Sequence, residues 1–153
     1  MGEVVVRAVD ADHVDDVVEL FAAYLQWYGA SRERVDIRNF LHARVSREES
    51  LLLAAGIGTA APVGFAQVYS TFSSVSMGPI WTLNDVYVAA EARGYGVGRA
   101  LVAEVCRRGA SAGVLRVQLE TGVDNHVAQG LYAEQGFVRD LDVVLYRRLL
   151  VPG

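Results

Sequence analysis

Apolar and polar positions along the chain switch between two periods, and each switch marks an element. Val4 to Val9 is a β-branched run that predicts a strand. Asp10 and Asp12 then precede Val14, Val17, Val18, Phe21 and Leu25, which recur at helical spacing. Ser31, just after Gly29, offers an N-cap to a second helical stretch reaching about Val45, with Val35, Phe40, Leu41 and Val45 as its apolar contacts. Leu51 to Ile57 and Val63 to Phe72 are apolar runs around Gly58 to Pro62, the pattern of an antiparallel hairpin. Ser70 to Met77 and Gly78-Pro79 form the expected connection to a further strand, Ile80 to Val88. Val97, Leu101, Val105 and Ala112 then predict a helix through Gly113. Val114 to Glu120 reads as a strand, His126 to Gln135 as a short helix stopped by Gly136, and Val143 to Val151 as a last strand. The order is that of an α+β fold on a mixed sheet.

Length and composition narrow this picture. A chain of 153 residues, 52% of them apolar, can bury a core without metal or disulfide staples, and no linker or low-complexity tract divides it. One domain over residues 1–153 is expected. The single cysteine, Cys106, rules out an internal disulfide and suits a reducing cytoplasm. Met1 to Asp10 lacks the layout of an export signal, and no apolar run reaches membrane-spanning length, so no membrane partner is expected. Net charge is −4 and all fourteen basic side chains are arginine, which disfavours nucleic acid as a partner. His13, His42 and His126 are scattered, without the spacing of a metal site.

The chemistry concentrates in Arg93-Gly94-Tyr95-Gly96-Val97-Gly98-Arg99, directly between a strand and a helix. Successive glycines let backbone N–H groups turn towards one point, and the helix N-terminus adds partial positive charge there. Arg93 and Arg99 strengthen the attraction for an anion, and a pyrophosphate suits the loop. A dinucleotide fold also uses such a turn, with an acidic residue about 20 positions on, where Glu120 stands. The glycines lack that fold's spacing, however, and too few residues follow Glu120 for a second nucleotide-binding half. No Gly-Lys-Ser/Thr follows either, which excludes the nucleoside-triphosphate loop.

Arg93, Gly96 and Gly98 match the CoA-binding signature of the GNAT superfamily of N-acetyltransferases, which this chain resembles. Asn125, Ala128, Leu131, Tyr132, Gly136 and Phe137 reproduce a second pattern of that family, and Leu83 to Val88 is similar to the strand before its loop. The resemblance covers nearly the whole chain. It implies a central mixed, splayed β-sheet flanked by about four α-helices, with acetyl-CoA as co-substrate and no metal. It also implies that the strand backbone at Val86 to Val88 contacts pantetheine and the acetyl carbonyl. Val86, Val88, Arg93, Gly94, Gly96, Val97, Gly98, Arg99, Asn125 and Ala128 are thus the expected CoA contacts.

An alkyl amine with a pKa near 10.4 is neutral in only about one molecule in a thousand at pH 7, so direct attack on a thioester needs a proton acceptor. Asp85 is the first candidate and Glu120 the second. Polyamine-acetylating relatives carry a Glu where this chain has Asn84, and an amide cannot take that proton. Tyr132 matches the family's acid for the departing thiolate, and the Val88 N–H its oxyanion donor. Tyr24, Trp27 and Tyr28 cluster at the end of the first helix, where relatives shape substrate access, and aromatic faces there suit a cationic acceptor. The expected acceptor is a small-molecule amine. A protein lysine or N-terminus, another acyl donor, and a non-catalytic acyl-CoA sensor stand as alternatives. Resemblance also points to a homodimer.

Overall fold

The computed structural model describes residues 2–152. Strands β1 (Val4–Ala8), β2 (Ser50–Ile57), β3 (Gly64–Ser73), β4 (Gly78–Val88) and β5 (Val117–Gln118) form one sheet in the order β1-β2-β3-β4-β5. The first four are antiparallel neighbours, whereas β5 runs parallel to β4. Helices α1 (Asp15–Trp27), α2 (Arg34–Ser46), α3 (Val97–Ser111) and α4 (His126–Glu134) complete the fold.

Strand alternation divides the core between the two faces of the sheet. On β2, Leu52 and Ala54 join the cluster under α1 and α2, where Val17, Phe21, Ile37 and Leu41 are buried. Leu53 and Ala55 face the other way, into the cluster under α3 that holds Val97, Leu101, Val102 and Val105. α3 is amphipathic at this spacing and crosses the sheet, while α1 and α2 close the opposite face.

Four features differ from the sequence expectation. The β3–β4 hairpin is longer, because Gly78 and Pro79 pair with Ser73 and Phe72 and belong to β4 rather than to a connection. Val114 to Glu120 contributes only Val117 and Gln118 to the sheet. The last strand predicted at Val143 to Val151 is not formed: those residues have no ladder partner among the described residues, and their apolar side chains are exposed. Alternation and β-propensity describe a segment's preference, but a strand also needs an edge to pair with. The second helix begins at Arg34, with Glu33 at the cap position, not Ser31.

Candidate active site

β4 and β5 part company after two residues. Trp81 pairs with Val117 and Thr82 with Gln118, after which β4 runs on from Leu83 to Val88 without a neighbour on that side. The result is a cleft walled by open backbone. Ala89 donates its N–H to Val63 on the β3 side, so by alternation the N–H groups of Val88 and Val86 face the cleft. The register between β3 and β4 slips at Gln67 and Val68 and skips Asn84, a β-bulge that turns Asn84 and Asp85 onto one side.

The glycine-rich loop closes one end of the cleft. Gly94 and Gly96 have φ of +85° and +84°, which L side chains rarely adopt, and nothing lies within 4 Å of a Cβ built on either. Gly96 occupies the N-cap of α3, and the first helical bond is from the Ala100 N–H to the Gly96 carbonyl. The N–H groups of Val97, Gly98 and Arg99 are therefore left at the helix N-terminus, where the dipole favours an anion. A Cβ on Gly98 would lie 3.7 Å from the Val88 side chain and 3.4 Å from that of Leu131, so the glycine sits where β4, α3 and α4 converge. This open, donor-rich turn fits a pyrophosphate. Arg93 donates from Nε to the Val88 carbonyl at 3.0 Å and lies over the Tyr87 ring, 5.8 Å from its centroid. Arg99 instead pairs with Glu134 on α4, which commits part of the charge expected at the loop to holding two helices together.

On the α1 side of β4, Asp85 is buried with no cationic partner among the described residues. Its Oδ1 accepts from the Tyr24 hydroxyl at 2.8 Å, and its Oδ2 from Gln67 Nε2 at 3.2 Å and Asn84 Nδ2 at 3.0 Å. A carboxylate offers about four acceptor positions, so Oδ2 is filled and Oδ1 keeps one free. Gln67 is fully buried and its Oε1 has no partner among the described residues, so the bond to Asp85 fixes which way its amide points. Neither Gln67 nor Tyr69 stands out in the loop and helix motifs. The signal was a polar Gln within the apolar run of β3, which marks a residue with a buried partner.

Aromatic rings carry this cluster to the mouth of the cleft. Tyr24 packs edge-on against Phe65 at 5.6 Å, Tyr87 at 5.9 Å and Tyr28 at 5.0 Å, and Tyr28 meets Trp27 at 5.1 Å. Trp27 and Tyr28 are exposed at the rim, whereas Tyr24 is buried. Burial, followed by the nearby Asp85 charge, raises the Tyr24 phenol well above its ordinary range, and the same causes push Tyr69 up to about 12. Both remain donors at any physiological pH.

Tyr132, on α4, is partly buried against Phe137 with ring centroids 5.8 Å apart. Burial first, and then Tyr28, hold its phenol above the usual value. Asn125 caps α4: its side chain accepts the Ala128 N–H at 3.2 Å. The residue expected to touch CoA is thus occupied as an N-cap, and Ala128 spends its N–H on the same bond. Glu120 is not drawn into the cluster around Asp85; it is exposed beyond β5 and faces Arg147 at 3.4 Å.

A cleft with a backbone wall, a helix N-terminus rich in free N–H donors and a half-buried tyrosine is an arrangement suited to acyl transfer. A model of the acetyltransferase (GNAT) family matches residues 14–137, and the chain belongs to that family. An uncharacterised N-acetyltransferase of Bacillus subtilis, YhfO, is 32% identical over 92% of this chain and 94% of its own. A yeast D-amino-acid N-acetyltransferase, HPA3 of Saccharomyces cerevisiae, is 35% identical over 63% of this chain and 58% of its own length. The crystal structure of a probable acetyltransferase, 32% identical, superposes with a TM-score of 0.91 over 97% of this chain and 99% of that one. The protein is an acetyltransferase, and membership implies acetyl-CoA as donor. No helix among the described residues is long and apolar enough to cross a membrane.

Proposed function

We propose that the chain, one domain over residues 1–153, transfers an acetyl group from acetyl-CoA to the primary amine of a small molecule by direct attack in a ternary complex. It does so in the cytoplasm and as a homodimer. The observation that carries this reading is the open β4 edge, where Val86 and Val88 N–H groups face the cleft closed by the glycine-rich loop. In this assignment the N–H groups of Val97, Gly98 and Arg99, helped by Arg93 and by the freedom of Gly94 and Gly96, hold the pyrophosphate of CoA. Asn125 and Ala128 act indirectly, through the cap of α4.

Bound acetyl-CoA supplies a thioester carbonyl open to an amine. The Val88 N–H is the donor for charge that develops on its oxygen. Tyr132 gives its phenolic proton to the leaving sulfur, and its raised pKa keeps that proton in place at neutral pH. Asp85 takes the proton of the incoming ammonium at Oδ1, the oxygen with acceptor capacity left, while Tyr24, Gln67 and Asn84 hold the carboxylate still. Trp27, Tyr28 and the edge of Tyr24 form an aromatic rim for an acceptor with a cationic group. Glu120 is assigned no catalytic part.

The small-amine reading is supported by the yeast relative, named for D-amino acids. Steady-state assays with acetyl-CoA and parallel panels of small amines, D-amino acids among them, and of peptides test it. Turnover on small amines is expected. Turnover confined to peptides would move the acceptor to proteins, and saturable acetyl-CoA binding without turnover on any amine would make the chain a sensor.

A further inference from the structure

A track of polar side chains leads away from Asp85 on the α1 and α2 face of the sheet. Alternation puts Gln67 and Tyr69 of β3 on that face with Phe65, because Ala66 and Val68 turn to the cluster under α3. Ser50 of β2 falls on the same side as Leu52 and pairs with Tyr69, which pairs on its other flank with Thr82 of β4. Tyr69 is two residues along β3 from Gln67, so its row lies about 7 Å from the row of Gln67 and Asp85. Arg44, in the last turn of α2, follows: Glu49, the residue before Ser50, donates its N–H to the Arg44 carbonyl at 2.9 Å. Arg44 Nε, Ser50 Oγ and Gln67 Oε1 are buried without a hydrogen-bond partner among the described residues, and all three belong to this track. Gln67 itself is fully buried. Buried polar atoms are nearly always paired, so three orphans along one line mark groups whose partner comes from outside the chain.

The two ends of the track carry opposite charge. Asp85 is the acidic end, beside the stretch of β4 where the acetyl carbonyl is assigned. At the basic end the Arg44 guanidinium lies over the Phe40 ring, 5.2 Å from its centroid, and Glu49 Oε2 approaches Nε to 2.8 Å without hydrogen-bond alignment. These contacts hold the stem side of the planar fork and leave its two terminal nitrogens, which suit a carboxylate bidentately. Tyr69 stands between the ends. Burial, then the Asp85 charge, raise its phenol while Arg44 opposes them, so its hydroxyl is within electrostatic reach of both and stays a donor. A second ammonium on the acceptor would meet the like charge of Arg44, and a purely apolar tail would leave the donors there unsatisfied. We infer that the acceptor is a compact zwitterion, an amino acid, whose ammonium meets Asp85 and whose carboxylate is held by Arg44 and the Tyr69 hydroxyl. Gln67 Oε1 adds an acceptor for the ammonium and Ser50 Oγ a donor for the carboxylate. The assignment rests on the small-amine reading above and names the class of amine.

Steady-state kinetics with matched acceptors test it: amino acids of both hands, their carboxamides, and the amines that lack the carboxylate. For the wild type, kcat/KM on an amino acid should exceed that on its carboxamide by about tenfold to a hundredfold, the usual effect of a hydrogen bond to a charged group. Arg44→Gln should raise KM for the amino acid by about the same factor, with a much smaller change in kcat, and so erase the preference over the carboxamide. Arg44→Lys keeps the charge without the fork and should recover part of it. Equal losses on acid and carboxamide in Arg44→Gln would give Arg44 a purely structural part and overturn the inference. A wild type that acetylates carboxamides or bare amines as readily as amino acids would overturn it too, and in both cases small-amine acetylation stands. That wild-type comparison decides even if Arg44→Gln does not fold. Turnover confined to peptides would remove the small-amine reading and the carboxylate site with it.

Discussion

Tyr132 and Asp85 divide the proton traffic of the reaction, and their surroundings differ in kind. Tyr132 is held above its normal pKa by burial, so its acid form persists to higher pH than a free phenol's. Tyr132→Phe should lower kcat by about 10² to 10³-fold while leaving acetyl-CoA affinity within a few-fold in calorimetry. The alkaline fall of the wild-type rate profile should lie above pH 10 wherever this phenol causes it. Asp85→Asn removes the acceptor at Oδ1 and sets an amide against the Gln67 and Asn84 donors, so kcat/KM should fall by about 10² to 10⁴-fold. Tyr24→Phe separates positioning from chemistry. It deletes one hydrogen bond to a charged group, which should cost about 1.5 to 3 kcal/mol in denaturant unfolding, yet it leaves an ionisable base in place. Equal loss of rate in both variants would assign Asp85 a purely structural part.

At the scale of elements, the strand-to-helix turn and α3 are the working parts. Gly96→Glu forces a side chain onto a φ of +84°, a strain of roughly 1 to 2 kcal/mol, and points negative charge at the helix N-terminus. Acetyl-CoA binding should vanish in calorimetry while far-ultraviolet circular dichroism stays native. The body of α3 is fastened by Leu101, fully buried, whose truncation to Ala should cost about 2 to 5 kcal/mol in chemical denaturation. Its outer face is laced by Glu104 with Arg107 and Arg108. The hydrogen bonds from Arg107, and then from Arg108, bring the Glu104 carboxyl down from 4.5 to about 2. A depressed pKa gives stability that is present above pH 4.5 and lost as pH falls towards 2. Glu104→Gln should therefore flatten the fall of melting temperature across that window, and an unchanged slope would show that the ion pairs contribute nothing measurable.

For the whole molecule, the sequence alone determined the element order as far as α4, the position of the glycine-rich turn and the periodicity of α1 and α3. Each depends on neighbours a few residues apart: backbone freedom at Gly94 and Gly96, N-terminal acids before α1, and a 3.6-residue apolar repeat. Two motifs of this kind sufficed to indicate the family to which the chain belongs. Tertiary structure decided what depends on residues far apart in the chain. The bond between Tyr24 and Asp85 joins positions 61 apart, and the slip of register that brings Asn84 onto the same side is a property of two strands, not of one. The engagement of Arg99 by Glu134 and of Asn125 by the α4 backbone was likewise visible only in the folded chain, because each joins a loop or helix end to a neighbour that the local motif does not specify. Val143 to Val151 carries the apolar, β-branched composition of a strand, yet pairing takes a second edge. The fold of one chain leaves that segment bare because strand formation is an interaction and local preference only half of it.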